Sequence, residues 1–337
     1  MILLVVLTLI FLVLLLFPFL LARVSLDTDK VHSLVVKNNN LRNPRYFSQA
    51  FIALMERGLS TYDGSGMIRL SKAETLLEPP ILADEVDALV YAKRDFAPAR
   101  AQTFAKEIYC KGDARLPAGT ALRAIACLGT LTLEEGCTLA RWADAEREVA
   151  IAAGCALGIS VSSGQLLRLA PGCAFRRLYA AEIVVGSAPD VLNPPAPPLC
   201  KDILRNPKEI EDLERVEGSI VTMHDLVVGE YAVINGSVKS RGRIHVKKGA
   251  HILYNLIADG DLVLEDGVFI GGVVFSQRYV YLGPSCQIGR KGRIKSAVAK
   301  CGVTLAEGCR VYGYVSGELE CASVEADAYY TLISDKF

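Results

Sequence analysis

Charge of one sign is missing from this sequence. Its 337 residues carry 37 Lys and Arg against 37 Asp and Glu, a formal net charge of zero. That balance does not suit a chain that wraps a phosphate backbone, so no nucleic-acid partner is expected. Histidine is scarce at four residues and tryptophan at one. No CxxC pair, HExxH, glycine-rich phosphate loop or Ser-His-Asp order occurs. Polar low complexity is lacking too: 51% apolar residues exclude intrinsic disorder. Ten cysteines in this length are too few for a small disulfide scaffold.

One long apolar run is present. Residues 1–22 hold no charge and are broken only by Thr8 and Pro18. A helix of that length would cross a hydrocarbon core roughly 30 Å thick. No basic stretch precedes it, and Phe19-Leu20-Leu21-Ala22-Arg23 is a poor cleavage site, so the expectation is an uncleaved transmembrane anchor over 1–22. Arg23, Lys30, Lys37, Arg42 and Arg45 follow it, which would leave the bulk of the chain in the cytoplasm. Residues 23–42, with Asn38, Asn39 and Asn40, read as a linker. Residues 43–113 read as a mixed helical cap region. Asn43 and Pro44 suit a helix start, Phe47, Phe51 and Leu54 follow at helical spacing, and Gly58 suits its end. Ser71-Lys72-Ala73-Glu74 resembles a capping box for a short helix before Pro79-Pro80.

The strongest signal is a repeat. Segments start at Leu131, Val149 and Leu167, then at Leu226, Ile244, Leu262 and Val280, with steps of 18 residues. An eighth starts at Val303, 18 plus five further on. Apolar or small residues fall at positions 0, +2, +6, +8, +12 and +14 of each segment. Two-residue alternation means a strand with one buried face, and three such strands per 18 residues close a triangular coil. Gly136, Gly154, Gly172, Gly249, Gly267 and Gly308 occupy the +5 corner, a bend that asks for positive φ. The expected fold class is mainly β: a parallel three-sided β-helix over about 114–320, with a Pro-rich insertion at about 187–217 and a C-terminal cap or tail over 321–337. The expectation is one continuous stack with an extruded loop; two blocks joined by a linker is the alternative.

Cys137, Cys155, Cys173, Cys286 and Cys309 share the inward +6 column with Ala232, Ala250 and Val268, which marks them as small apolar filler rather than a metal ladder. His224, His245 and His251 fall outside the inward columns, as surface residues. The insertion offers Asp190, Glu209, Glu211, Asp212, Glu214 and Glu217 without a clear pairing. No catalytic, cofactor or metal residue is assigned, and no enzyme activity is expected.

Leu226-Val227-Val228 through Ser240, Leu262 through Val274, and Val303-Thr304-Leu305-Ala306-Glu307-Gly308 resemble the bactofilins, bacterial polymer-forming cytoskeletal proteins. The resemblance is clearest over 216–320. It implies a right-handed triangular core, end-to-end self-assembly without nucleotide, and a scaffold for cell-envelope or morphogenetic proteins. It also implies association with the inner membrane, here through residues 1–22 with the β-helix on the cytoplasmic side. The alternative is a hexapeptide-repeat acyl- or nucleotidyl-transferase-like enzyme using one of the histidines as a general base.

Overall fold

A computed structural model describes Phe11, Phe17 and residues 43–195, 198–200 and 202–334. It is mainly β: a parallel β-solenoid of about 13 turns with about 18 residues per turn, and two short helices. The 18-residue step is visible in the register. Val149 pairs with Leu131 and Leu167, and Leu262 pairs with Ile244 and Val280. Identical columns therefore meet coil after coil, and the inward residues form one apolar core.

The structure does not bear out the expected membrane-spanning helix. No helix among the described residues is long and apolar enough to cross a membrane. Residues 1–22, on which the expectation fell, lie outside the described residues apart from Phe11 and Phe17. The single-pass inner-membrane placement loses its support with that helix.

The solenoid consists of two blocks, and they do not stack in one direction. The last coil of the first block is the strand Ala174–Val185, and the last coil of the second is Arg310–Val324. These two coils pair antiparallel around all three walls, from Ala174 with Ala322 through Leu178 with Val315 to Val184 with Arg310. The C-terminal rims of the blocks thus seal each other, and one core runs through the junction. The intervening chain returns along the outside of the second block. There Leu192 N donates to Gln287 Oε1 at 2.8 Å, and the Arg290 side chain bonds Asn193 and Pro194. The second block then starts from its far end at Ile203–Arg205. Antiparallel pairing explains why the gap between the repeat blocks needed a long, proline-rich connection: it spans the second block rather than bulging from a corner.

Coils also begin earlier than residue 114. Strands at Leu89–Ala92 and Thr103–Cys110 pair in parallel and belong to the first block. The Ser71–Glu74 segment forms no helix. Met67–Arg69 and Ala73–Leu77 make an antiparallel hairpin, and Glu74 pairs with Lys106 at 2.6 Å instead of capping.

The first helix, α1 (Tyr46–Leu59), lies along the outer wall of the first block. Phe51 packs edge-on to Trp142 and Tyr109, and Met55 is fully buried. Burial of Met55 alone contributes about 2 kcal/mol. Phe47 of the expected stripe is 59% exposed, so the wall-facing stripe is Phe51, Met55 and Gly58. Gly58 permits the close approach: a Cβ there would stand 2.6 Å from Leu70 Cδ2. At the start of α1, Arg45 reaches the buried Asp144 by two bonds, Nε to Oδ1 at 2.9 Å and Nη2 to Oδ2 at 2.8 Å. The second helix, α2 (Ala326–Ser334), lies on the outer wall of the second block over Val263 and Tyr281. Its Tyr329 is fully buried and its hydroxyl donates to Leu264 O at 2.7 Å.

Candidate functional site

A β-helix rim exposes strand edges and an uncovered core unless something closes it. This chain has four such rims. Two are consumed at the junction. The N-terminal rim of the first block is closed by the 67–77 hairpin and by the loop after Pro79-Pro80, whose Ile81 packs against the core. Gln102 Nε2 holds that loop by donating to Ile81 O at 3.0 Å and Ala83 O at 2.6 Å.

The fourth rim, at the start of the second block, is uncovered among the described residues. Its coil is built from Ile203–Arg205, Glu209–Ile210 and Arg215–Glu217, each paired only with the coil that follows. Leu204 stands opposite the inward-facing, fully buried Ile220, yet it is 43% exposed. Ile203 is 49% exposed beside it. Leu213 occupies the +5 corner slot where six coils carry glycine and two carry Tyr231 and Ser285, also at positive φ. It sits at φ 61° with 76% of its surface exposed. A non-glycine residue in that conformation costs of order 1 kcal/mol, and the exposed side chain gains nothing within its own chain to offset it. Around this apolar centre stand Asp202, Glu209, Glu211, Asp212, Glu214 and Glu217 against Arg205, Lys208 and Arg215. Among the described residues, six carboxylates against three cations leave the rim at −3.

Three of these carboxylates have structural employment. Glu214 Oε2 accepts from Glu211 N at 2.8 Å, Asp212 Oδ1 from Glu230 N at 2.8 Å, and Glu217 Oε2 from Asn235 Nδ2 at 2.8 Å. No cluster of three or more His, Cys, Asp or Glu that could hold a metal occurs among the described residues.

The histidines do not converge. His245 bonds Glu265 at 2.6 Å, which holds that carboxyl below its usual range. His251 packs edge-on to Phe269 on a different wall and is half-buried, and loss of solvent lowers its pKa. His224 is exposed, and its backbone carbonyl accepts from Ser240 Oγ at 2.6 Å. No cleft gathers them.

The cysteine column is inward and buried, with Cys137, Cys155, Cys173, Cys286 and Cys309 each 1% exposed. Each thiol also donates to a corner carbonyl, as from Cys173 Sγ to Ala152 O at 3.1 Å and from Cys309 Sγ to Gly283 O at 3.0 Å. Ala232, Ala250 and Val268 fill the same column without that bond, so the thiol acts there as small apolar filler with a weak additional donor. Burial pushes the Cys286 and Cys321 thiols up, so they stay protonated.

Sequence reasoning missed the open rim because residues 203–217 read as insertion. The signal was present in the spacing: Lys208 lies one 18-residue step before Leu226, and Leu213 falls on the corner position. Compared with family models, curated proteins and solved structures, the chain gives no significant match to any.

Proposed function

We propose that this chain is a non-enzymatic structural scaffold that associates in pairs through the open rim at residues 203–217. The observation that carries this reading is Leu204, a core-column residue left 43% exposed where the stack stops. The chain already contains the corresponding solution at its other end, where two rims close by antiparallel pairing around three walls. A second copy presenting the same rim would extend the core and cover Ile203, Leu204 and Leu213. The resemblance to bactofilins supports a scaffold role toward cell-envelope or morphogenetic proteins. The arrangement of rims departs from a filament: with three of the four rims closed among the described residues, one open rim per chain favours a closed pair over an open polymer.

Sedimentation equilibrium of the full chain tests this. A concentration-dependent dimer is expected, and Leu204→Asp should return it to monomer with an unchanged circular dichroism spectrum, because the residue is partly solvated already. A wild-type chain that stays monomeric at its highest soluble concentration, or a dimer indifferent to Leu204→Asp and Leu213→Asp, would overturn the reading.

A further inference from the structure

Apolar outer walls are unusual on this solenoid, and the chain covers most of them itself. Helix α1 lies over Tyr109 and Trp142 on the first block. Helix α2 lies over Val263 and Tyr281 on the second. On another wall of the second block Phe269 is fully buried, with the Arg290 guanidinium 4.9 Å from its ring centre, and Arg290 in turn bonds the returning chain at Asn193 and Pro194.

The remaining wall of the second block is covered by nothing among the described residues. It carries Val221, Ile257, Phe275 and Val298, aligned by the register of successive coils and interrupted by Lys239. All four apolar residues are partly exposed. Both edges of this wall are basic. Arg241 and Lys300 stand at one corner beside Asp259, and Lys291 and Arg293 stand in the hairpin at the other. Lys239, Arg241, Lys291, Arg293 and Lys300 are exposed and make no ion pair among the described residues. Most other exposed cations of the solenoid wall are paired, as Arg243 is with Asp225 and Arg278 with Asp261.

We propose that this wall is a docking surface for an acidic amphipathic helix of a partner protein. The charge of the rim selects the sign, and the aligned side chains select a helix. Five coils from Val221 to Val298 span about 19 Å, the length of a helix of about 13 residues. The first block shows the same solution within the chain. There α1, 14 residues long, lies along the equivalent wall, and its Glu56 pairs with Lys111 and accepts from the Tyr109 hydroxyl. A helix with apolar residues at i, i+3, i+4 and i+7 and carboxylates on its flanks would repeat that arrangement against Phe275, Lys239 and Lys300. The surface lies on the side of the stack and does not depend on the open rim.

The test uses two designed helical peptides with the same apolar stripe, one flanked by Glu and one by Lys, read by fluorescence anisotropy against the full chain. The Glu peptide should bind and the Lys peptide should not. Phe275→Ser and the pair Lys239→Glu with Lys300→Glu should each weaken binding by about tenfold or more. Leu204→Asp should leave it unchanged. Equal binding of both peptides, no binding of either, or indifference to the wall variants would overturn the proposal. So would phosphatidylglycerol vesicles binding in place of the peptide, or a self-association lost on Lys239→Glu, which would make the occupant a lipid surface or a second copy.

Discussion

Cys173 and Ser323 hold each other across the junction although 150 residues separate them. Cys173 N donates to Ser323 Oγ at 3.0 Å, and Ser323 N donates back to Cys173 O at 2.9 Å. Ser323 Oγ also donates to Ala170 O at 2.7 Å. Two coils that would otherwise end in bare edges thus satisfy each other, reinforced by the Arg310–Glu182 ion pair at 2.9 Å. The result is two blocks joined rim to rim through one continuous core.

The Arg45–Asp144 pair fixes α1 to the wall. Asp144 has no exposed side-chain surface and also accepts from Ser162 Oγ at 2.5 Å. Removing the carboxylate leaves the guanidinium, only 11% exposed, to its contact with the more exposed Glu146. Asp144→Ala is therefore expected to cost about 3 kcal/mol in urea unfolding, whereas Glu146→Ala, at the 44% exposed partner, should cost under about 1 kcal/mol. Equal effects would contradict the assignment.

Thiol reactivity should divide the cysteines. Cys200 and Cys301 are partly exposed and the other eight are buried. Two thiols are expected to react with a disulfide reagent in the native chain and ten after denaturation. Fast reaction of Cys155 or Cys286 without unfolding would show that the inward column is open.

Acid should weaken the second block in two steps. The His251 pKa lies below the ordinary 6.5 because burial disfavours the cation. Its contribution to stability is complete above 6.5 and is lost as pH falls from there through the lowered value. Glu265 sits below the ordinary 4.5, chiefly through its bond to His245, so its contribution is lost only below that pH. Thermal melts of His251→Gln should lack the upper step and keep the lower one.

Salt should strengthen pairing through the open rim. Two copies bring two acidic rims together, and screening relieves that repulsion while leaving the apolar contact of Leu204 and Leu213 intact. A dimer that dissociates with added salt would place the contact elsewhere.

The coil was legible in the sequence because parallel stacking puts every eighteenth residue in the same surroundings. Columns such as Leu131, Val149 and Leu167 therefore repeat in size and polarity. The earlier coils were hidden because Leu89–Ala92 is buried on both faces, under α1 as well as in the core, so its alternation vanishes. The Ser71–Glu74 pattern has a helix-start composition, but Leu70 N bonds Lys72 O in a hairpin turn. The reversal of the second block was illegible for a deeper reason. An inward column has the same period whether its coil is met from above or below, so the 18-residue spacing fits either direction across the gap. The rim at Leu213 was hidden by that same gap.

Cross-linking across the junction tests the two-block arrangement most directly. Arg177 and Ser316 are antiparallel partners with outward side chains, close enough for a disulfide. In a Cys200→Ser, Cys301→Ser background, Arg177→Cys with Ser316→Cys should form an intramolecular disulfide on mild oxidation. Arg177→Cys with Ser219→Cys should not, because the register from Arg177 through Ser316 back to Val221 places Ser219 about 29 Å away at ~4.8 Å per strand. A disulfide at 177–219 and none at 177–316 would mean a single stack running in one direction, and the account of sealed and open rims would fall with it.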